Sequence, residues 1–108
     1  MANKKKEQVR SDLLYESILT LQNVDEVKNF FQDLCTVSEL RSMEQRFEVA
    51  TLLDQGLIYN DILEKTGASS ATISRVNRSL SYGSGGYEVV FDRMKAAKAA
   101  DSADGEAK

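Results

Sequence analysis

Apolar side chains along this chain recur at three- and four-residue steps, the spacing that gathers them on one face of an α-helix. From Val9 to Leu21 the set Val9, Leu13, Leu14, Tyr15, Ile18, Leu19 and Leu21 predicts a first helix with a wide apolar stripe. A helix that broad on its apolar side touches more than one neighbour, and in so short a chain a second subunit can supply one. Asn23 with Glu26 three residues on predicts a capped second helix carrying Val24, Val27, Phe30, Phe31 and Leu34. Thr36-Val37-Ser38-Glu39 is a cleaner capping box. It opens a long helix from Thr36 to Gln55 with Leu40, Met43, Phe47, Ala50 and Leu53 on one side, ended by Gly56.

Beyond Gly56 the pattern tightens. A short helix from Ile58 to Thr66, anchored by Ile62 and Leu63, has no clear N-cap residue. Gly67 enters the left-handed backbone region without steric cost and so ends that helix and turns the chain. Ser69 caps a further helix from Ser70 to Tyr82, with Ile73, Val76 and Leu80 inward and Ser70, Ala71, Ser74, Arg75 and Arg78 outward. Gly83-Ser84-Gly85-Gly86 breaks it, and Tyr87, Val90, Phe91 and Met94 mark a last amphipathic helix. No apolar-polar alternation persists long enough for a strand. The predicted fold is all-α with about six helices, as one domain over 9–98. A flexible basic arm over 1–8 precedes it, and a disordered tail over 99–108, poor in apolar side chains, follows.

Short helix, glycine turn and small-faced helix form a helix-turn-helix over 58–82. Such a unit carries its second helix into a major groove about 12 Å wide while the first crosses the phosphates. Ser70, Ala71, Thr72 and Ser74 are the candidates for base-edge contact. Arg75 and Arg78 are candidates for phosphates, and the amides opened by Ser69 add an anion site.

Charge distribution sharpens this reading. The net charge of the 108-residue chain is −3, yet residues 65–87 contain Lys65, Arg75 and Arg78 and no acid. Residues 11–64 hold eleven acids against three bases. Positive potential is thus confined to the basic start and the supposed reading helix. That helix also lacks the large exposed apolar residues of a groove-binding peptide helix.

Little other chemistry is available. There is no His, and the single Cys35 lacks a base to activate it, so no enzyme and no cofactor or metal are expected. Cys35, one step after Leu34, is expected as a buried structural thiol. Asp25 and Glu26 fall in the first turn of a helix, where they favour its free amides. The Gly83–Gly86 run follows a helix and lacks the Lys of a phosphate loop. No apolar run is long enough for a membrane span, so the expected location is the cytoplasm.

Gly67-Ala68-Ser69-Ser70-Ala71-Thr72-Ile73-Ser74-Arg75, with Asn77, Ser79 and Leu80, resembles the signature of the Trp repressor superfamily. Together with the long helix before it, the resemblance covers most of residues 10–95 and points to the YerC/YecD branch. It implies six helices and an intertwined homodimer in which the first three helices interlock with those of the partner. It also implies double-stranded DNA as the macromolecular partner. The residue after the motif Arg is Gly in tryptophan-sensing members and Val76 here, which fills the space of an indole ring. A second pocket Arg falls at Glu48 in an ungapped reading, leaving a remodelled effector cavity of Glu48, Arg75, Val76 and Ser79 that disfavours tryptophan. A base-contacting Arg of the family corresponds to Asn60, so the operator sequence does not transfer. Three readings therefore stand: a DNA-binding regulator, a helical interaction or assembly module, and a sensor of a different small ligand.

Overall fold

In the computed structural model residues 11–106 are described, and among them are six helices and no strand. They are α1 (Leu13–Ile18), α2 (Val24–Leu34), α3 (Val37–Asp54), α4 (Tyr59–Thr66), α5 (Ser70–Tyr82) and α6 (Gly86–Glu106). The all-α class expected from periodicity is the one observed. The basic arm over 1–8, Val9 and the last two residues lie outside the described residues.

Local hydrogen bonds explain where the helices begin. Asn23 Oδ1 accepts from the Glu26 amide at 2.9 Å, while Glu26 Oε1 accepts from the Gln22 amide at 2.9 Å. At α3 the box is reciprocal: the Thr36 amide donates to Glu39 Oε1 at 2.9 Å, and the Glu39 amide donates to Thr36 Oγ1 at 3.1 Å. The Thr36 amide and then its hydroxyl hold the Glu39 carboxyl below its ordinary value. Ionised Glu39 therefore supports α3 at neutral pH, and that support is lost as the pH falls through the lowered pKa.

The chain divides into two compact units, Met1–Leu40 and Arg41–Lys108. The reason lies in burial. Among the described residues of the first unit no side chain is buried, although Phe30 and Phe31 meet edge to face at 5.7 Å between ring centroids. Leu13, Leu19, Val24 and Val37 are 72%, 85%, 70% and 69% exposed. Two helices with apolar stripes and nothing to bury them in supply no core of their own.

The second unit has a core. Val49 and Ala50 of α3, Ile62 of α4, Ala68 of the turn, Ile73 and Val76 of α5 and Phe91 of α6 are buried together. Phe47, Tyr87 and Phe91 form an aromatic edge to it, with centroids 5.6 to 6.3 Å apart. On the surface, Lys95 Nζ meets Asp54 Oδ2 at 2.8 Å, and the hydrogen bond and charge of Asp54 raise the Lys95 ammonium above its ordinary value. That pairing is intact at neutral pH and, on the alkaline side, is lost as pH rises through the raised pKa.

One expectation fails at the C-terminal end. The tail placed from residue 99 as disordered is helical through Glu106. Ala96, Ala97, Ala99 and Ala100 are interspersed with Lys95 and Lys98. Alanine and lysine have high intrinsic helix propensity, so the segment extends α6 without any apolar face to dock.

Candidate nucleic-acid interface

The helix-turn-helix is built from the turn outward. Gly67 adopts φ 72°, the left-handed cap of α4, and its amide donates to the Leu63 carbonyl at 2.8 Å. Thr66 organises the same corner: its hydroxyl donates to the Ile62 carbonyl at 2.7 Å and accepts from the Ala68 amide at 3.1 Å. Ser69 then caps α5, its Oγ accepting from the Thr72 amide at 3.1 Å, as its sequence position predicts. At the other end of α4, Ile58 is the N-cap residue and makes no side-chain bond.

Burial sorts the faces of α5 as the spacing requires. Ile73 and Val76 are buried and Leu80 is half-buried, while Ser70, Ala71, Ser74, Arg75 and Arg78 are exposed and Thr72 is half-buried. Ser69 and Asn60 are exposed as well. The helix thus presents a narrow outer surface of hydroxyls, a methyl and two guanidiniums. Among the described residues neither Arg75 nor Arg78 forms an ion pair with a carboxylate. No helix of the described residues is long and apolar enough to cross a membrane, and no group of acidic, Cys or His side chains among them could hold a metal. Cys35 is half-buried, less enclosed than its place after Leu34 suggests.

One cavity adjoins the motif. A cavity of about 270 Å³ is lined by Ser42, Gln45 and Arg46 of α3 and by Thr72 and Arg75 of α5. Glu48 is not in its wall, Val76 is buried in the core, and Ser79 is exposed. Residues advance about 100° each along a helix, so Glu48 stands about 200° round from Arg46 and faces away. The partner of Arg75 in this cavity is therefore a second cation, Arg46, whose Nε donates to the Ser42 carbonyl at 3.3 Å. The signal was present in the sequence: Ser42, Gln45 and Arg46 stand at i, i+3 and i+4, one face of the long helix.

Fold and site together define an all-helical protein with an outward-facing helix-turn-helix. Residues 10–95 match the family described as Trp repressor protein, and the chain belongs to that family. The YerC protein of Bacillus subtilis (strain 168) is 51% identical over 84 residues, covering 78% of this chain and 81% of that protein. The crystal structure of a TrpR like protein from Eubacterium eligens ATCC 27750 is similar at 55% identity and a TM-score of 0.75, over 78% of this chain and 87% of that one. A solved structure from Staphylococcus aureus shares 48% identity at a TM-score of 0.77, over 82% and 92% of the two chains. The resemblance to the superfamily and its YerC branch holds.

Proposed function

We propose that this protein is a cytoplasmic, homodimeric regulator of transcription, without enzymatic activity, that binds double-stranded DNA through α5. The observation that carries the reading is the acid-free, slim outer face of α5, whose two arginines pair with no carboxylate among the described residues. Ser70, Ala71, Thr72 and Ser74 read base edges or a thymine methyl, and Arg75 and Arg78 contact phosphates. Ser69 opens the amides of the first turn to a phosphate, and Asn60 approaches the duplex from α4. A dimer carries two such heads and selects a palindrome with half-sites about one helical turn apart.

Selection of bound fragments from random duplex DNA at a stated salt concentration tests this directly. The expected result is an enriched palindrome. Arg75→Ala and Arg78→Ala each weaken binding to all sequences and reduce the slope of log affinity against log salt by about one. No enrichment, with dimers intact, would favour an interaction or assembly role instead.

A second reading rests on the Arg46–Arg75 cavity. Two guanidiniums with the Ser42 and Thr72 hydroxyls beside them suit a small anionic effector, and Val76 in place of the family's Gly argues against tryptophan. Calorimetry with L-tryptophan is expected to show no saturable binding in the micromolar range. Saturable micromolar heat from folded protein would refute that exclusion.

A further inference from the structure

We infer that Gln45 is a positioning residue for the reading head, holding the helix-turn-helix corner to α3 by its side-chain amide. The inference rests on the DNA-binding reading above. Gln45 Nε2 donates to the Thr66 carbonyl at 3.3 Å, and both residues are half-buried. Apart from the exposed Lys95–Asp54 ion pair, every other side-chain hydrogen bond among the described residues joins positions at most four apart, whereas this one spans twenty-one. It is the directional link between the long helix and the turn.

Thr66 is the last residue of α4, and the carbonyls of a helix's last turn lack partners within the helix. The neighbouring Leu63 carbonyl is taken by the Gly67 amide, and the Thr66 hydroxyl is already occupied on both sides, by Ile62 and Ala68. Gln45 supplies the donor that the Thr66 carbonyl needs. Through Gly67 and Ala68 that carbonyl lies three residues before the Ser69 cap of α5, so anchoring it anchors the start of the reading helix.

Packing alone does not fix this geometry. The contacts of Ile62, Ala68, Ile73 and Val76 in the core are apolar and non-directional, so they set how close α5 lies to α3 more firmly than its rotation. A hydrogen bond weakens steeply when its angle departs from the favoured range, so it penalises rotation. Base-edge contacts are equally angle-dependent, whereas phosphate attraction is long-ranged. Loss of the Gln45 bond therefore falls on sequence preference and spares non-specific affinity. Gln45 also lines the Arg46–Arg75 cavity, which puts one wall of that cavity in direct contact with the corner.

The test compares Gln45→Met, of similar length with no donor, and Gln45→Glu, of similar shape with a carboxylate in place of the amide. Each is titrated with the duplex that the wild-type protein enriches from a random library and with a shuffled duplex of the same composition. Both variants are expected to keep helix content and shuffled-duplex affinity while losing about fivefold to tenfold in preference for the enriched duplex, the worth of one ordinary hydrogen bond. The Thr66 carbonyl 13C resonance should move in both. If the preference and the Thr66 resonance of either folded variant match wild type, the inference is overturned. Failure of the wild-type protein to enrich any duplex overturns the DNA-binding reading and this inference with it, a result separable from the first because it precedes any substitution.

Discussion

Ile73→Ala is expected to destabilise the second unit by about 2–5 kcal/mol and to abolish detectable binding to the enriched duplex under conditions where the wild-type protein binds fully. Ile73 is fully buried, on the inner face of α5, within the cluster that includes Ile62, Val49 and Phe91. Truncation to Ala removes three carbons and leaves a void that the surrounding side chains fill only in part. A domain of this size has roughly 5–15 kcal/mol of total stability, so the loss is a large fraction of it. The loss also falls where it matters for binding, because Ile73 and Val76 are the buried attachment of the reading helix. Chemical denaturation monitored by circular dichroism measures the first effect, and fluorescence anisotropy with labelled duplex the second. Wild-type midpoint and affinity in Ile73→Ala would show that α5 is held by something other than its inner face.

Leu19→Glu carries the second large effect, and it falls on assembly. In the single chain Leu19 is 85% exposed, so a glutamate there is harmless to a monomer. In the proposed dimer the same position lies in an apolar face that the partner covers, together with Leu13, Val24 and Val37. Placing an unpaired carboxylate in such a face costs several kcal/mol, and about 1.4 kcal/mol is tenfold in a dissociation constant. Dissociation of the dimer is therefore expected to become easier by at least about a hundredfold, with the second unit still folded. Sedimentation equilibrium across a concentration series measures it. Equal association of Leu19→Glu and wild type would remove the apolar face around Leu19 from the interface.

What the sequence disclosed is mostly what is local. Thr36 with Glu39, Asn23 with Glu26, Ser69 with Thr72, and Gly67 are each read within three or four positions, and their hydrogen bonds or backbone angles form as those spacings demand. The inner and outer faces of α5 follow from 3.6-residue periodicity, and burial agrees residue by residue. The cavity was harder. Counting without gaps from the motif back to α3 places Glu48 beside Arg75, and such counting holds only if the connection after Gly56 has the same length as in the tryptophan-sensing members. Helical spacing within α3 was the better guide to Arg46. The Gln45–Thr66 bond joins residues in different helices, and nothing in the periodicity of either helix announces it. The helical tail beyond residue 99 is obscured for the opposite reason: a segment without apolar surface reads as unstructured, while alanine-rich sequence forms helix on backbone preference alone.

The separation of the two faces of α5 has a practical meaning for altering the protein. Ile73, Val76 and the Ser69 cap fix its place from within, while Ser70, Ala71 and Ser74 lie on the far side and contribute no packing to the core. Gly83 closes the helix at its other end, where any side chain would collide with the Ser79 carbonyl. Base contact and core packing are thereby assigned to different residues. A library randomised at the three small outer positions should yield soluble, folded members at high frequency, so this scaffold lends itself to retargeting without prior stabilisation.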